Sequence, residues 1–302
     1  MIVAGKFLKD KVYYSQNKED LLLEAFFPNL KEGFYVDAGA YDPEYDSVTK
    51  LFYEKGWHGI NIEPQLERYK EFEKSRSRDI NINSGVSNIK SELTLRIYKN
   101  GGLSTFSTEL KKENTKSKDP KLSAFKDVKV PVTTLEDIFH KYKVGKINFL
   151  KVDVEGLEYK VLQGNNWEKY RPEVLCVESN NVQKDLKSFL LKKDYEHVFF
   201  DGLNDYYVDK HSDKVGAFDY VRHMVEKKSE WIRYSDYCAF NEITNNLDQI
   251  KADNDYLKAS IKEKEKEIDH LNTILGNSRL LIRTLIKVIL NKLTNKDKTK
   301  RH

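Results

Sequence analysis

The chain has only two cysteines in 302 residues, Cys176 and Cys238, with no Cys-x-x-Cys pair and no zinc spacing. A disulfide framework and a zinc module are therefore excluded, and a reducing compartment fits. Long hydrophobic runs are missing too: none reaches the eighteen or more apolar residues of a spanning helix. The N-terminus has no basic region followed by an apolar core and a small-residue cleavage site, so the expected location is cytoplasmic. Neither sign of charge dominates, since 52 Lys+Arg against 48 Asp+Glu leave a net charge of +4. Bulk composition thus gives no polyanion binder, and no basic-aromatic strand motif points to nucleic acid. Only 39% of residues are hydrophobic and 33% are charged, so a local excess of charge is expected, and it lies near the C-terminus.

What is present is an alternation of strand and helix signals from about residue 19 to residue 200. Apolar strands are expected at 34–37, 59–63, 80–86, 93–98, 147–152, 174–177 and 197–200. Helices are expected at 19–27, 47–55, 67–74, 134–142, 156–164 and 182–192, with Thr133 or Thr134 capping the fourth. Strands separated by helices imply parallel crossovers, hence an α/β fold with a doubly wound, mostly parallel sheet. The polar stretch Lys111 to Asp127 reads as a surface excursion or lid.

Four acids, Asp37, Glu63, Asp153 and Glu178, fall at the carboxyl ends of four of these strands. Ligands of such sheets bind at that edge, so the four describe the rim of one site. A nicotinamide site needs Gly-x-Gly-x-x-Gly to bring pyrophosphate to a helix N-terminus. Here only Gly39 of that pattern stands after the first strand, with Asp37 just before it. A carboxylate there repels pyrophosphate and suits a cationic, hydroxylated ligand. Glu63, ending the next strand, is placed to accept both hydroxyls of a ribose. S-adenosylmethionine has an ammonium, a sulfonium, a ribose and no phosphate. The pair of acids therefore favours this methyl donor over a dinucleotide, and a nicotinamide-dependent oxidoreductase is the weaker alternative.

Four segments carry a family resemblance: Tyr14-Ser-Gln-Asn-Lys-Glu-Asp20, Val36-Asp-Ala-Gly-Ala-Tyr-Asp-Pro43, Gly56-Trp-His-Gly-Ile-Asn-Ile-Glu-Pro64 and Leu150-Lys-Val-Asp-Val-Glu-Gly156. With Gly102-Leu-Ser-Thr105, Val132-Thr-Thr-Leu-Glu-Asp137 and Arg171-Pro-Glu-Val174, they resemble the FkbM family of methyltransferases over residues 13 to 210. The resemblance implies a Rossmann-like methyltransferase fold and S-adenosylmethionine as cofactor. It also implies O-methylation of sugars or other hydroxylated metabolites, often in bacterial surface glycan pathways. It places the segment of Gln16 over the cofactor, beside Asp37, Gly39, Ala40, Tyr41, Glu63, Pro64 and Asp153. Tyr41 departs from the pattern, standing where many methyltransferases have a second loop glycine.

A sugar hydroxyl is a poor nucleophile, so a base or a metal ion is expected. Asp153 and Glu178 are the candidate catalytic acids. With Asn180 they form an oxygen-donor set suited to Mg²⁺, which would orient vicinal hydroxyls and lower the pKa of one.

The catalytic domain is assigned to residues 1–240, followed by a coiled coil at 241–278 and a basic amphipathic helix and tail at 279–302. Heptad position a falls on Leu247, Asn254, Ile261, Ile268 and Leu275, and position d on Ile250, Leu257, Lys264 and Leu271. β-branched residues at a with Leu at d favour a parallel pair, hence a homodimer. Arg279, Arg283, Lys287 and Asn291 form one polar stripe on an otherwise apolar stretch, which suits the inner surface of the cytoplasmic membrane. The expected function is O-methylation of a glycan or glycolipid-linked sugar. A non-catalytic membrane adaptor built on a degenerate domain is the other alternative, against which the intact acids and Gly39 argue.

Overall fold

The structure is a computed structural model that describes residues 12–99, 101–179, 185–217 and 231–298. It divides into two compact units, residues 1–238 and 239–302. The first unit opens with β1 (Val12–Tyr13), α1 (Glu19–Phe26), β2 (Phe34–Ala38), α2 (Lys50–Glu54), β3 (His58–Ile62), α3 (Leu66–Ser75), β4 (Ile80–Ile82) and β5 (Gly85–Val86). It continues with β6 (Ser91–Tyr98), α4 (Thr108–Lys116), β7 (Phe125–Thr133), α5 (Leu135–Lys141), β8 (Phe149–Val152) and α6 (Glu158–Gln163). Then come β9 (Val174–Glu178), α7 (Leu186–Leu191), β10 (Tyr195–Phe200), β11 (Asn204–Asp209) and β12 (Ile232–Arg233), and last the long helix α8 (Tyr234–Lys298).

A seven-stranded sheet of order β10-β11-β9-β8-β2-β3-β4 forms the frame. Successive strand residues point to opposite faces, and both faces of this sheet are apolar. On one face Val36, Ile60, Leu150 and Leu175 pack with Leu135, Phe139 and Val161 from the helices. On the other, Tyr35, Phe149, Val174 and Cys176 pack with Leu22, Phe26 and Phe52. Burial on both faces is why these strands read as continuous apolar runs rather than alternating ones.

Five strands, β9 to β4, run parallel as expected. The sheet is nonetheless mixed, because β11 returns antiparallel beside β9 and β10 pairs antiparallel with β11. The reversal is made at Asp201-Gly202: Gly202 takes φ +101°, and Asp201 Oδ1 accepts the N–H groups of Leu203 and Asn204 at 2.8 and 2.7 Å. Tyr206 and Tyr207 thereby become buried core on opposite faces of the sheet.

A second correction concerns residues 80–133. The apolar run 80–86 divides into β4, which pairs with β3, and β5, which belongs to a separate three-stranded sheet of order β5-β7-β6. The polar excursion 111–127 contains most of α4, capped by the Ser107 hydroxyl, and the start of β7. β6 pairs with β7 over its full length, and Arg96 clamps Asp127 with two contacts of 2.9 Å.

Helix α8 has 65 residues and passes residue 278 without a break, so 241–278 and 279–298 are one element. Among the described residues no helix is long and apolar enough to cross a membrane.

Candidate active site

The carboxyl ends of β2, β3, β8 and β9 meet at a cavity of about 360 Å³. Gln16, Gly39, Ala40, Tyr41, Glu63, Pro64, Asp153 and Glu178 all line it. Asn180 and the start of the helix expected at 182 lie outside the described residues.

The loop after β2 is forced close to β8. Gly39 takes φ +85°, and a Cβ there would stand 1.7 Å from the Asp153 carbonyl oxygen, so only glycine fits. The N–H groups of Gly39 and Ala40 both donate to the Ile62 carbonyl, at 3.0 and 3.2 Å, which ties this loop to β3. Tyr41 follows with φ +54°, an uncommon conformation for a bulky residue. Its N–H donates to Glu63 Oε2 at 2.8 Å, while the Gln65 N–H donates to Oε1 at 2.7 Å. Glu63 is 3% exposed, and burial pushes its carboxyl up to about 7 despite these two donors. Asn83 Nδ2 donates to the carbonyls of Glu63 and Pro64 and fixes this turn.

Gln16 is held over the cavity by its neighbours. The buried Asp20 accepts the Ser15 hydroxyl at 2.6 Å and the Tyr14 N–H at 2.7 Å, and Glu19 accepts Asn204 Nδ2 at 3.1 Å.

Asp37 does not belong to the cavity wall. It is 1% exposed and lies 3.5 Å from Lys151 Nζ. The same ammonium stands 3.3 Å from Asp153 Oδ2 and donates to the Gly39 carbonyl at 3.2 Å. Burial alone would lower the Lys151 pKa, but the carboxylates of Asp37 and Asp153 outweigh it and hold the amine above its ordinary value. Lys151 was not singled out from the sequence. The available signal was a lone lysine inside the apolar run 147–152, since a lysine in a two-faced buried strand needs acid partners.

Glu155 was missed likewise. Carboxylate oxygens of Asp153, Glu155 and Glu178 lie within 4.8 Å of one another. Burial, and then the charges of Asp153 and Glu178, push Glu155 up to about 9. Glu155 takes φ +54° and Gly156 φ +98°, a tight bend closed by Glu158 Oε1, which accepts the Val154 and Gly156 N–H groups at 3.0 Å each. The small sheet buttresses this bend: Thr105 Oγ1 donates to the Glu155 carbonyl at 2.5 Å. Leu95, Leu103 and Phe106 from the same region give the cavity an apolar side, and Ser104 Oγ is buried there without a protein hydrogen-bond partner.

A family model described as Methyltransferase FkbM domain matches residues 37–210, more than half of the chain. The chain belongs to the FkbM methyltransferase family. No curated protein matches it. A solved structure of Methyltransferase FkbM from Methylobacillus flagellatus KT is 14% identical, with a TM-score of 0.38. That match covers 68% of this chain and 50% of the other, so the chain spans about half the length of that relative. In this FkbM domain the matched region runs from the acid of β2 to the end of β11 and takes in every strand end around the cavity.

Proposed function

We propose that this FkbM methyltransferase transfers a methyl group from S-adenosylmethionine to a sugar hydroxyl of a glycan or glycolipid. One observation carries the reading: a single cavity is lined by Glu63 and the Gly39 loop together with the acids Asp153, Glu155 and Glu178. The donor fits beside Glu63. Glu63 spends one acceptor site of each oxygen on a backbone N–H, which leaves lone pairs for two ribose hydroxyls. The unpartnered Ser104 hydroxyl suits a further polar group of the donor. The apolar side formed by Leu95, Leu103 and Phe106 suits a purine ring.

S-adenosylmethionine, when bound, supplies an electrophilic methyl on a sulfonium. The chain must align the acceptor oxygen with it and exclude water, and much of the acceleration can come from that alignment. As the O–C bond forms and the C–S bond breaks, Asp153 takes the hydroxyl proton. The acids Asp153, Glu155 and Glu178 fit a hard divalent cation, which would orient vicinal hydroxyls there.

Isothermal calorimetry with S-adenosylmethionine and, separately, NADH tests the donor. Binding of the first alone is expected, and binding of NADH alone would overturn the reading. Labelled methyl transfer to extracted surface glycans tests the acceptor, with Asp153→Ala as control. Transfer unchanged in that variant would remove Asp153 from the chemistry.

A further inference from the structure

The apolar repeat of α8 does not end at residue 278. In the same register Ile243 falls at d, upstream of the series from Leu247 to Leu275, while Ile282 falls at a and Leu285 at d beyond it. The apolar side chains of this series are 50–64% exposed from Ile243 to Leu285, along one unbroken helix. Exposed Leu and Ile recurring at a and d over several heptads are a seam that lacks its other half.

We propose that the other half is a second copy of this chain, with the two α8 helices paired parallel and in register as one coil from 243 to 285. Two features select a copy over a foreign partner. Asn254 occupies an a position, and a parallel, in-register pair sets each Asn254 against its counterpart, so the two amides satisfy one another. In a parallel pair shifted by one heptad either way, that amide faces Leu247 or Ile261 instead. In such a pair a g residue meets the e residue five places on in its partner, and two of these meetings are complementary: Asp253 meets Lys258, opposite in charge, and Leu281 meets Ile286, both apolar and exposed; none of the others sets like charges together. Lys264, the charged residue at d, is already neutralised within its own helix by Glu267, at 2.7 Å.

The seam also accounts for the basic stripe. Arg283 and Lys287 fall at b and f, the outer side of a two-stranded coil, so the apolar face that would suit a lipid surface is the face that pairing covers. The proposal does not rest on the methyltransferase reading.

The experiment uses the full chain with Cys238→Ser, which leaves the buried Cys176 as the remaining native thiol. Light scattering is expected to give the mass of a dimer, and Asn254→Cys in that background is expected to form a disulfide-linked dimer on mild oxidation. Ile261→Asp with Ile268→Asp is expected to give a monomer with the helix content and ligand binding of the parent. A monomeric parent would overturn the proposal. A dimer that fails to cross-link through position 254 would overturn the parallel, in-register pairing. A monomer that sediments with vesicles containing anionic lipid would assign the face to a membrane instead.

Discussion

The ammonium of Lys151 stands 3.3 Å from the carboxylate of Asp153, two residues further along the same chain segment. The same ammonium faces the buried Asp37, so one cation compensates one acid that is hidden and one that faces the cavity. Lys151→Met should leave Asp37 without its cation. Removing one partner of a buried pair costs about 3–5 kcal/mol, and urea unfolding should show a loss of that order. Lys151→Met should also free the Gly39 carbonyl and weaken donor binding. A variant as stable as the parent would show that Asp37 is not held as an ion.

Donor binding should depend on pH through Glu63. Its folded pKa of about 7 lies above the ordinary 4.5, so between those values the folded chain holds a proton that the unfolded chain has lost. The stability this group contributes to the ligand-free chain is complete below pH 4.5 and is lost as pH rises through about 7. Accepting ribose hydroxyls requires the ionised form, so donor affinity should rise over the same interval and level off above it. Glu63→Gln should bind more weakly and lose the inflection. Calorimetric titrations from pH 5.5 to 8.5 would check this, and an inflection that survives in Glu63→Gln would assign it to another group.

Gly39→Ala should disable donor binding. The new methyl would meet the Asp153 carbonyl, and φ +85° adds about 1–2 kcal/mol of strain for an L-residue. Backbone must shift, so donor binding should fall at least tenfold even where the chain still folds. Gly145→Ala, at a position with nothing within 4 Å of the added methyl, is the matched control and should be near neutral.

Magnesium binding should release a proton. Glu155, at about 9, is protonated in the metal-free chain at neutral pH and must ionise to act as a ligand. Calorimetric heats at pH 7.5 should therefore differ between buffers of different ionisation enthalpy, by an amount corresponding to about one proton per ion. Glu155→Gln should abolish the buffer dependence, and Glu178→Gln should weaken binding. Identical heats in all buffers would remove Glu155 from the ligand set.

The parallel half of the sheet was legible in the sequence because β2, β3, β8 and β9 are buried on both faces and show as apolar runs ending in acids. The hairpin of β10 and β11 was not, because Asn204 and Asp209 give β11 polar ends and its two core tyrosines resemble a loop cluster. β7 was hidden for a related reason: its first five residues are exposed and Pro131 interrupts the rest. At the cavity, the strand ends bring Glu63, Asp153 and Glu178 to the lining, while Asp37 lies behind it against Lys151. Strand position gives the edge of the sheet and not the depth of a side chain. Lys151 is hidden inside an apolar strand and Glu155 in the short bend before the next helix, so neither stands out in the sequence as a charge needing partners.

The small sheet sits within one chain interval, 85–133, and touches the bend at Glu155 through Thr105 and the cavity through Leu103, Ser104 and Phe106. The apolar wall of the cavity and its acidic rim are thus written in separate stretches of the chain. A lineage could rewrite that wall, and with it the shape of what the cavity admits, while leaving the strand ends and their acids untouched.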